Sequence, residues 1–365
     1  MTAPADHRAV EVAVKLSLVR RWLADSGAGA LRLRGIDRFA WLTAGGSRAV
    51  LLTAETGVTE VRVTAGEAGI LTDEIEADRL REEEVPPGFS FHVTPWSDTA
   101  WRQQVVVAAA EGAPVLSDRP AAAEQPLSPA ARHQRLRLGA EKQQRYRQLG
   151  ADAALAMSEV MRAARPGWTA CELAGEGARS LWRRGIHPAL VLAAGADRLP
   201  RFRHPTPSAE PLGKRAMLVS CARRHGRYAN LTRFVTFGAV PLEQAELMTV
   251  EATALAACAP GNSLAALYHA LLQAYRHAGH PDAMREHHQG GATGYLARAV
   301  LATESSALQL EAGMAVALNP SLRGIKLEDT FLIGQRGLEN LTLDPGWPAA
   351  AVQERSRPLW LDVAC

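Results

Sequence analysis

Residues Val316–Phe331 read VALNPSLRGIKLEDTF. Two apolar runs flank a Ser-Leu-Arg-Gly turn, the pattern of a hairpin with buried strands. An acid in such a strand needs a partner, yet the second run carries both Glu328 and Asp329. Side chains alternate across a strand, so the two acids point to opposite faces. Across the turn from Glu328 stands an amide, Asn319. An acid and an amide facing one another mark the place to look for a site.

The surrounding chain has 365 residues, 47% hydrophobic and 22% charged. That composition describes a globular protein with a sizeable core, and the length suits two domains. No apolar run reaches the ~20 residues that a membrane helix needs. The N-terminal MTAPADHRAVEVAVK carries Asp6 where a signal peptide is basic, and no apolar segment follows. A cytoplasmic protein with no membrane partner is expected. The net charge of +3 gives no argument for nucleic acid, and the basic run RHQRLRLGAEKQQRYR reads as a solvated helix face. Cys171, Cys221, Cys258 and Cys365 are dispersed, with no C-x-x-C spacing. Neither a zinc knot nor a redox motif is written, and disulfides are not expected.

Residues 1–118 read as a small α/β domain. VKLSLVRRWLADSG has helical spacing, and ALRLRG, FAWLTAGG, AVLLTA, VTEVRVTAG and FSFHVTPW read as strands. TDEIEADRLREEE reads as a charged helix opened by Asp73 and Glu76. Residues 119–131 are proline-rich and predict a linker. A second domain is expected over 132–348, with a C-terminal tail over 349–365. It begins with a long helix whose Tyr146, Leu149, Ala153, Met157, Val160 and Ala164 share one face. A second helix, ACELAGEGARSLWRRG, leads through a broken loop to RFRHPTPS. Strands AMLVSCAR and NLTRFVTFG, two more helices and the strands around EHHQGGATGY, MAVALNP and KLEDTFLIG complete it. The order predicts an α+β domain with a curved antiparallel sheet and helices on one face.

The succession RFRHPTPS, YANLTRF, HHQGGATGY and IKLEDTFLI, behind a long helix ending in Pro-Gly, resembles the creatinase/prolidase/aminopeptidase P family of pita-bread proteins. The first domain resembles that family's N-terminal domain. The resemblance implies a pita-bread C-terminal domain and a homodimer. Family peptidases hold two divalent metals with two Asp, one His and two Glu. Carried over position by position, the acids fall on Val219, Asn230, Asn319 and Glu328, and the histidine on His288. Three of five ligands are therefore replaced. His204 matches a histidine that touches substrate in the family.

Two divalent ions bring four positive charges and need anionic oxygen ligands. One carboxylate remains, and a valine cannot ligate. No metal and no other cofactor is expected. Two acids have become asparagine, which can donate to a carboxylate or oxyanion as an aspartate cannot. Creatinases, which share the fold, break a C–N bond without metal through histidine and glutamate. By that analogy His204, Glu328 and His288 are the catalytic candidates. Asn230, Asn319, Tyr295, Arg298 and Cys221 are the substrate-binding candidates, Arg298 because its fork suits a carboxylate. His287 and His288, if on a strand, face opposite ways.

The expected function is metal-independent C–N bond chemistry on a small amino-acid-like or peptide-like substrate. One alternative is a non-catalytic module that binds peptide or protein. Another is an Xaa-Pro aminopeptidase-type metallohydrolase with ligands drawn from Glu251, Glu304, Glu311 and Asp329.

Overall fold

The computed structural model describes residues 4–121 and 123–363, so Cys365 lies outside the described residues. The chain divides into two compact units, Met1–Arg135 and Leu136–Cys365.

The first unit runs α1 (Pro4–Ser26), β1 (Ala30–Gly35), α2 (Ile36–Leu42), β2 (Thr56–Val63), β3 (Ala68–Asp73), α3 (Ala77–Arg79), β4 (Ser90–Thr94), α4 (Trp101–Ala109), β5 (Val115–Ser117), β6 (Glu124–Pro126) and α5 (Pro129–His133). Its strands form one mixed sheet in the order β4-β3-β2-β1-β5-β6. FAWLTAGG, expected as a strand, is mostly the helix α2. All seven α2 residues are buried, and a run buried on every side has no period to tell helix from strand. AVLLTA is irregular, with Val50 and Leu51 exposed. The charged helix is shorter than expected, a single α-turn continued by a π-turn over Leu80–Glu84. Within the described part of the proline-rich segment, β6 pairs with β5, and Ser128 caps α5 through the Ala131 N–H.

The second unit opens with α6 (Ala140–Ala163), α7 (Ala170–Trp182), β7 (His187–Gly195), β8 (Arg215–Arg224) and β9 (Arg227–Thr236). Then follow α8 (Glu243–Ala257), α9 (Leu264–His277), α10 (Ala283–Glu286), β10 (Gly290–Thr293), β11 (Val300–Leu301) and β12 (Ala315–Leu318). The chain ends through β13 (Ser321–Leu322), β14 (Ile325–Lys326), β15 (Asp329–Ile333), β16 (Leu338–Asn340), β17 (Ala349–Val352), β18 (Arg355–Pro358) and β19 (Leu361–Asp362). The six apolar positions that mark one face of the first long helix are all buried. Thr169 and Glu172 close a capping box on α7. β7 was not expected; Pro188 and Gly195 suggest a loop, but this is an edge strand with a bulge at Pro188, where proline is tolerated.

Among the described residues the two larger sheets are β19-β9-β8-β7 and β11-β10-β12-β15-β16, with β13-β14 and β17-β18 as two-stranded ribbons. The β8–β9 hairpin turns at His225 and Gly226, with φ of +50° and +73°, as a two-residue turn of that hand requires. Arg223, next to this turn, is buried. It lies opposite Tyr228 with its guanidinium over that ring. The sheets meet where β9 faces β15. Thr232 bridges to Glu328, and the Thr330 hydroxyl bonds both the N–H and the carbonyl of Asn230. The candidate residues gather at this junction.

Candidate functional site

The hairpin that opens the reading forms as expected: β12 pairs antiparallel with β15, Leu318 opposite Asp329, which sets Asn319 opposite Glu328. Glu328 is buried. Arg298 donates to its Oε1 at 2.6 Å. Lys326 Nζ lies 2.7 Å from Oε2, and the Thr232 hydroxyl donates to the same oxygen at 2.7 Å. Burial alone would raise the carboxyl. Lys326 and then Arg298 overcome it and hold the group at about 2. Glu328 is therefore a fixed anion between two chain cations. Asp329 points the other way, to Arg233 at 2.9 Å and Arg357 at 2.8 Å.

The second feature is a cluster of imidazoles. His204 Nε2 lies 2.9 Å from His287 Nε2, and a ligand atom from each of His204, His287 and His288 falls within 4.8 Å of the others. His287 and His288 precede β10 rather than lie in it, so they do not alternate; their rings are 4.5 Å apart. His287 Nδ1 sits against the His288 carbonyl, which fixes the proton on Nδ1 and leaves the Nε2 lone pair to accept from His204. The Asn319 amide nitrogen is 3.4 Å from Nδ1, and its buried amide oxygen has no partner. An amide turned over would let that oxygen share the same proton. Burial, then Lys326, lowers His287 to about 3; burial, then Arg298, lowers His288 to about 4. His204 is lowered as well, by burial and then Lys326. All three rings are neutral near pH 7.

Glycines set this arrangement. Gly290 has φ +116°, and a Cβ on it would lie 2.2 Å from the Ala317 carbonyl oxygen. β10 therefore runs tight against β12 and carries the histidine segment to Asn319, whose N–H bonds the Gln289 carbonyl at 3.0 Å.

The remaining candidates are placed as follows. The Asn230 amide hydrogens are given to the Thr293 hydroxyl at 3.1 Å and the Ala297 carbonyl at 3.3 Å, leaving its oxygen unpartnered. Arg298 spends one nitrogen on Glu328 and one on the Ala297 carbonyl, and its Nε has no partner. Tyr295 is buried under the Arg227 guanidinium, which donates to its hydroxyl at 3.3 Å. Cys221 is buried opposite Asn230, and burial raises its thiol to about 12. Val219 is part of the apolar core. Lys326 reaches Glu328 and not Asp329, because residues two apart on an extended chain share a face. Sequence reasoning missed His287 and Lys326 as members of the site. The signal for Lys326 was its even spacing from Glu328. For His287 none existed, since its direction depends on the backbone before β10. Beside these groups is a small open recess, with room for about one water-sized group, bordered by Phe202, Arg203, His287, Ser321 and Lys326.

These residues do not fit the dinuclear metal centre of the resemblance. Asn230 and Asn319 bring no charge, Val219 brings no donor, and the one carboxylate is already matched by two cations. A pair of divalent ions would enter a pocket whose fixed charge is already positive.

An α/β unit followed by an α+β unit with its polar cluster where two sheets meet defines the pita-bread class. Its model for "Metallopeptidase family M24" matches residues 144–335, more than half of the chain. This protein belongs to that family. Among solved structures it is similar to Xaa-Pro dipeptidase from Bacillus anthracis, with 16% identity, a TM-score of 0.76, and 96% of this chain and 100% of that one covered. It is also similar to dipeptidase PepE from Mycobacterium ulcerans, with 19% identity, a TM-score of 0.76 and coverage of 97% and 99%. A third is the N-terminal domain of FACT complex subunit SPT16 from Cicer arietinum, with 13% identity, a TM-score of 0.69 and coverage of 92% and 95%. At such identities the likeness shows the fold, a pita-bread domain behind a smaller N-terminal domain. No curated protein sequence matches the chain.

Proposed function

We propose that this chain is a pita-bread enzyme that breaks a C–N bond in a small amino-acid-like or peptide-like substrate by proton transfer at His204, without the family's dinuclear metal centre. The observation that carries the reading is the 2.9 Å contact between His204 Nε2 and His287 Nε2. His287 is anchored from behind by the His288 carbonyl. His204 then donates through Nε2 and keeps a lone pair on its other ring nitrogen. That lone pair takes a proton from water as the water oxygen bonds to the substrate carbon. The same proton passes to the nitrogen as the C–N bond breaks. Lys326 and Arg298 supply positive charge for the oxyanion. Glu328 holds both in place and, being ionised to about pH 2, carries no proton itself. A substrate reaches the exposed His204 ring from solvent, and Arg298, paired with Glu328, is the neighbouring cation for a substrate carboxylate. A cytoplasmic homodimer completes the reading.

The test is turnover of a panel of small amides, guanidines and Xaa-Pro dipeptides by chelator-treated protein. Metal-independent turnover that falls at least ~100-fold in His204→Ala is expected. Activity that appears only with two added ions per chain would overturn it. A second reading, a non-catalytic binding module, draws support from the internal pairing of Asn230 and Glu328. It predicts a folded protein that turns over none of the panel and binds a peptide.

A further inference from the structure

We infer that His204, His287 and His288 form a binding site for one divalent transition-metal ion of zinc-like chemistry, with ligands distinct from the family's carboxylates. The first ground is convergence. One ligand atom from each ring lies within 4.8 Å of the other two. Two nitrogens bound to one tetrahedral ion at 2.0–2.1 Å stand about 3.3 Å apart. The His204–His287 separation of 2.9 Å needs to open by only a few tenths of an ångström. His204 and His288 are both exposed, so their rings can rotate to close on an ion.

The second ground is the support behind the central ligand. A metal-binding histidine usually gives its other ring N–H to a carbonyl or carboxylate, which fixes the tautomer and aims the lone pair. His287 has this support: Nδ1 faces the His288 carbonyl, with Asn319 beside it, and Nε2 faces the cluster. The third ground is ligand type. Three imidazoles with no thiolate and no free carboxylate select zinc, copper, nickel or cobalt over calcium and magnesium.

The nearby charge sets the strength. Lys326 and Arg298 repel a cation, and Glu328 offsets one of the two. Binding is therefore reversible and weaker than in a structural zinc site. An ion bound at His204 Nε2 leaves that ring's proton on Nδ1, which removes the lone pair that proton transfer uses, so the loaded form is inactive; that consequence, unlike the binding, rests on the proposed function.

The experiment is titration of the full-length, chelator-stripped protein with Co²⁺, read by its visible d–d absorption. One Co²⁺ per chain in a four- or five-coordinate environment is expected. His204→Ala and His288→Ala, both at exposed positions, each weaken it at least about tenfold. His280→Ala, which removes a partly exposed histidine near Glu246, leaves it unchanged. Absence of a d–d spectrum in the wild type, or wild-type affinity in His204→Ala and His288→Ala, overturns the site. Binding of Co²⁺ without loss of turnover would leave the site standing and count against the role of His204 as the base.

Discussion

Glu328 and Asp329 are consecutive residues that belong to two different charge networks. Glu328 faces Lys326, Arg298 and Thr232 at the site, whereas Asp329 faces Arg233 and Arg357 in the core. Arg357 in turn holds Glu251 of α8 through two contacts of 2.6 Å. Two adjacent residues at the start of β15 thus carry an anion of the candidate site on one face and an anion of the core on the other.

The core network is fully buried, so removing one member strands the others. Arg357→Met should destabilise the second unit by about 3–5 kcal/mol, since Glu251 and Asp329 would each lose a cation. Urea denaturation followed by far-UV dichroism checks this. A loss below about 1 kcal/mol would mean that water reaches these acids.

Glu328→Gln should also destabilise, by about 3 kcal/mol, because Lys326 and Arg298 are left without their anion. The substitution should raise the proton affinity of nothing nearby. With the anion gone, His204 and His288 should titrate still lower, as Glu328 is the group that raises both. Histidine proton shifts followed by NMR against pH would show it.

Stability should fall as the solution is acidified, in two overlapping windows. His287 and His288 titrate near 3 and 4 in the folded chain but near 6.5 when unfolded. The unfolded chain therefore takes up protons first, and stability declines from about pH 6.5 toward 3. Glu328 is lowered from 4.5 to about 2, so its contribution is complete above 4.5 and is lost as pH falls toward 2. Denaturation midpoints measured from pH 7 to pH 3 should drop throughout, and His287→Gln should flatten the upper part of the curve.

Gly290→Ala should cost about 3 kcal/mol or more. The added methyl meets the Ala317 carbonyl oxygen at 2.2 Å and the backbone φ of +116° disfavours any side chain. Thermal melting checks it, with Gly279→Ala, where a Cβ meets nothing, as the comparison.

Much of the fold was legible because its signals are local. The α6 stripe from Tyr146 to Val160, the β8–β9 hairpin and the β12–β15 hairpin each have a clear period and a glycine-bearing turn. The failures occurred where period is uninformative. α2 is buried on all sides, and β7 contains proline and glycine at a sheet edge. Within the site, the reading of Val219, Asn230 and Asn319 as replaced anionic ligands came only through the family resemblance, because residue type alone assigns them no such role. That Asn230 would satisfy Thr293 and Ala297 was not readable, nor that His287 would meet His204, because both depend on segments 63 and 83 residues away.

The central claim is that this family member no longer holds a pair of metal ions on carboxylates. Anomalous scattering from crystals soaked in Mn²⁺, an ion that favours carboxylate oxygen, tests it most directly. No peak is expected between Glu328, Asn319 and Asn230, and the Lys326–Glu328–Arg298 contacts should persist. Two peaks bridged by Glu328, with Lys326 and Arg298 displaced, would contradict the account.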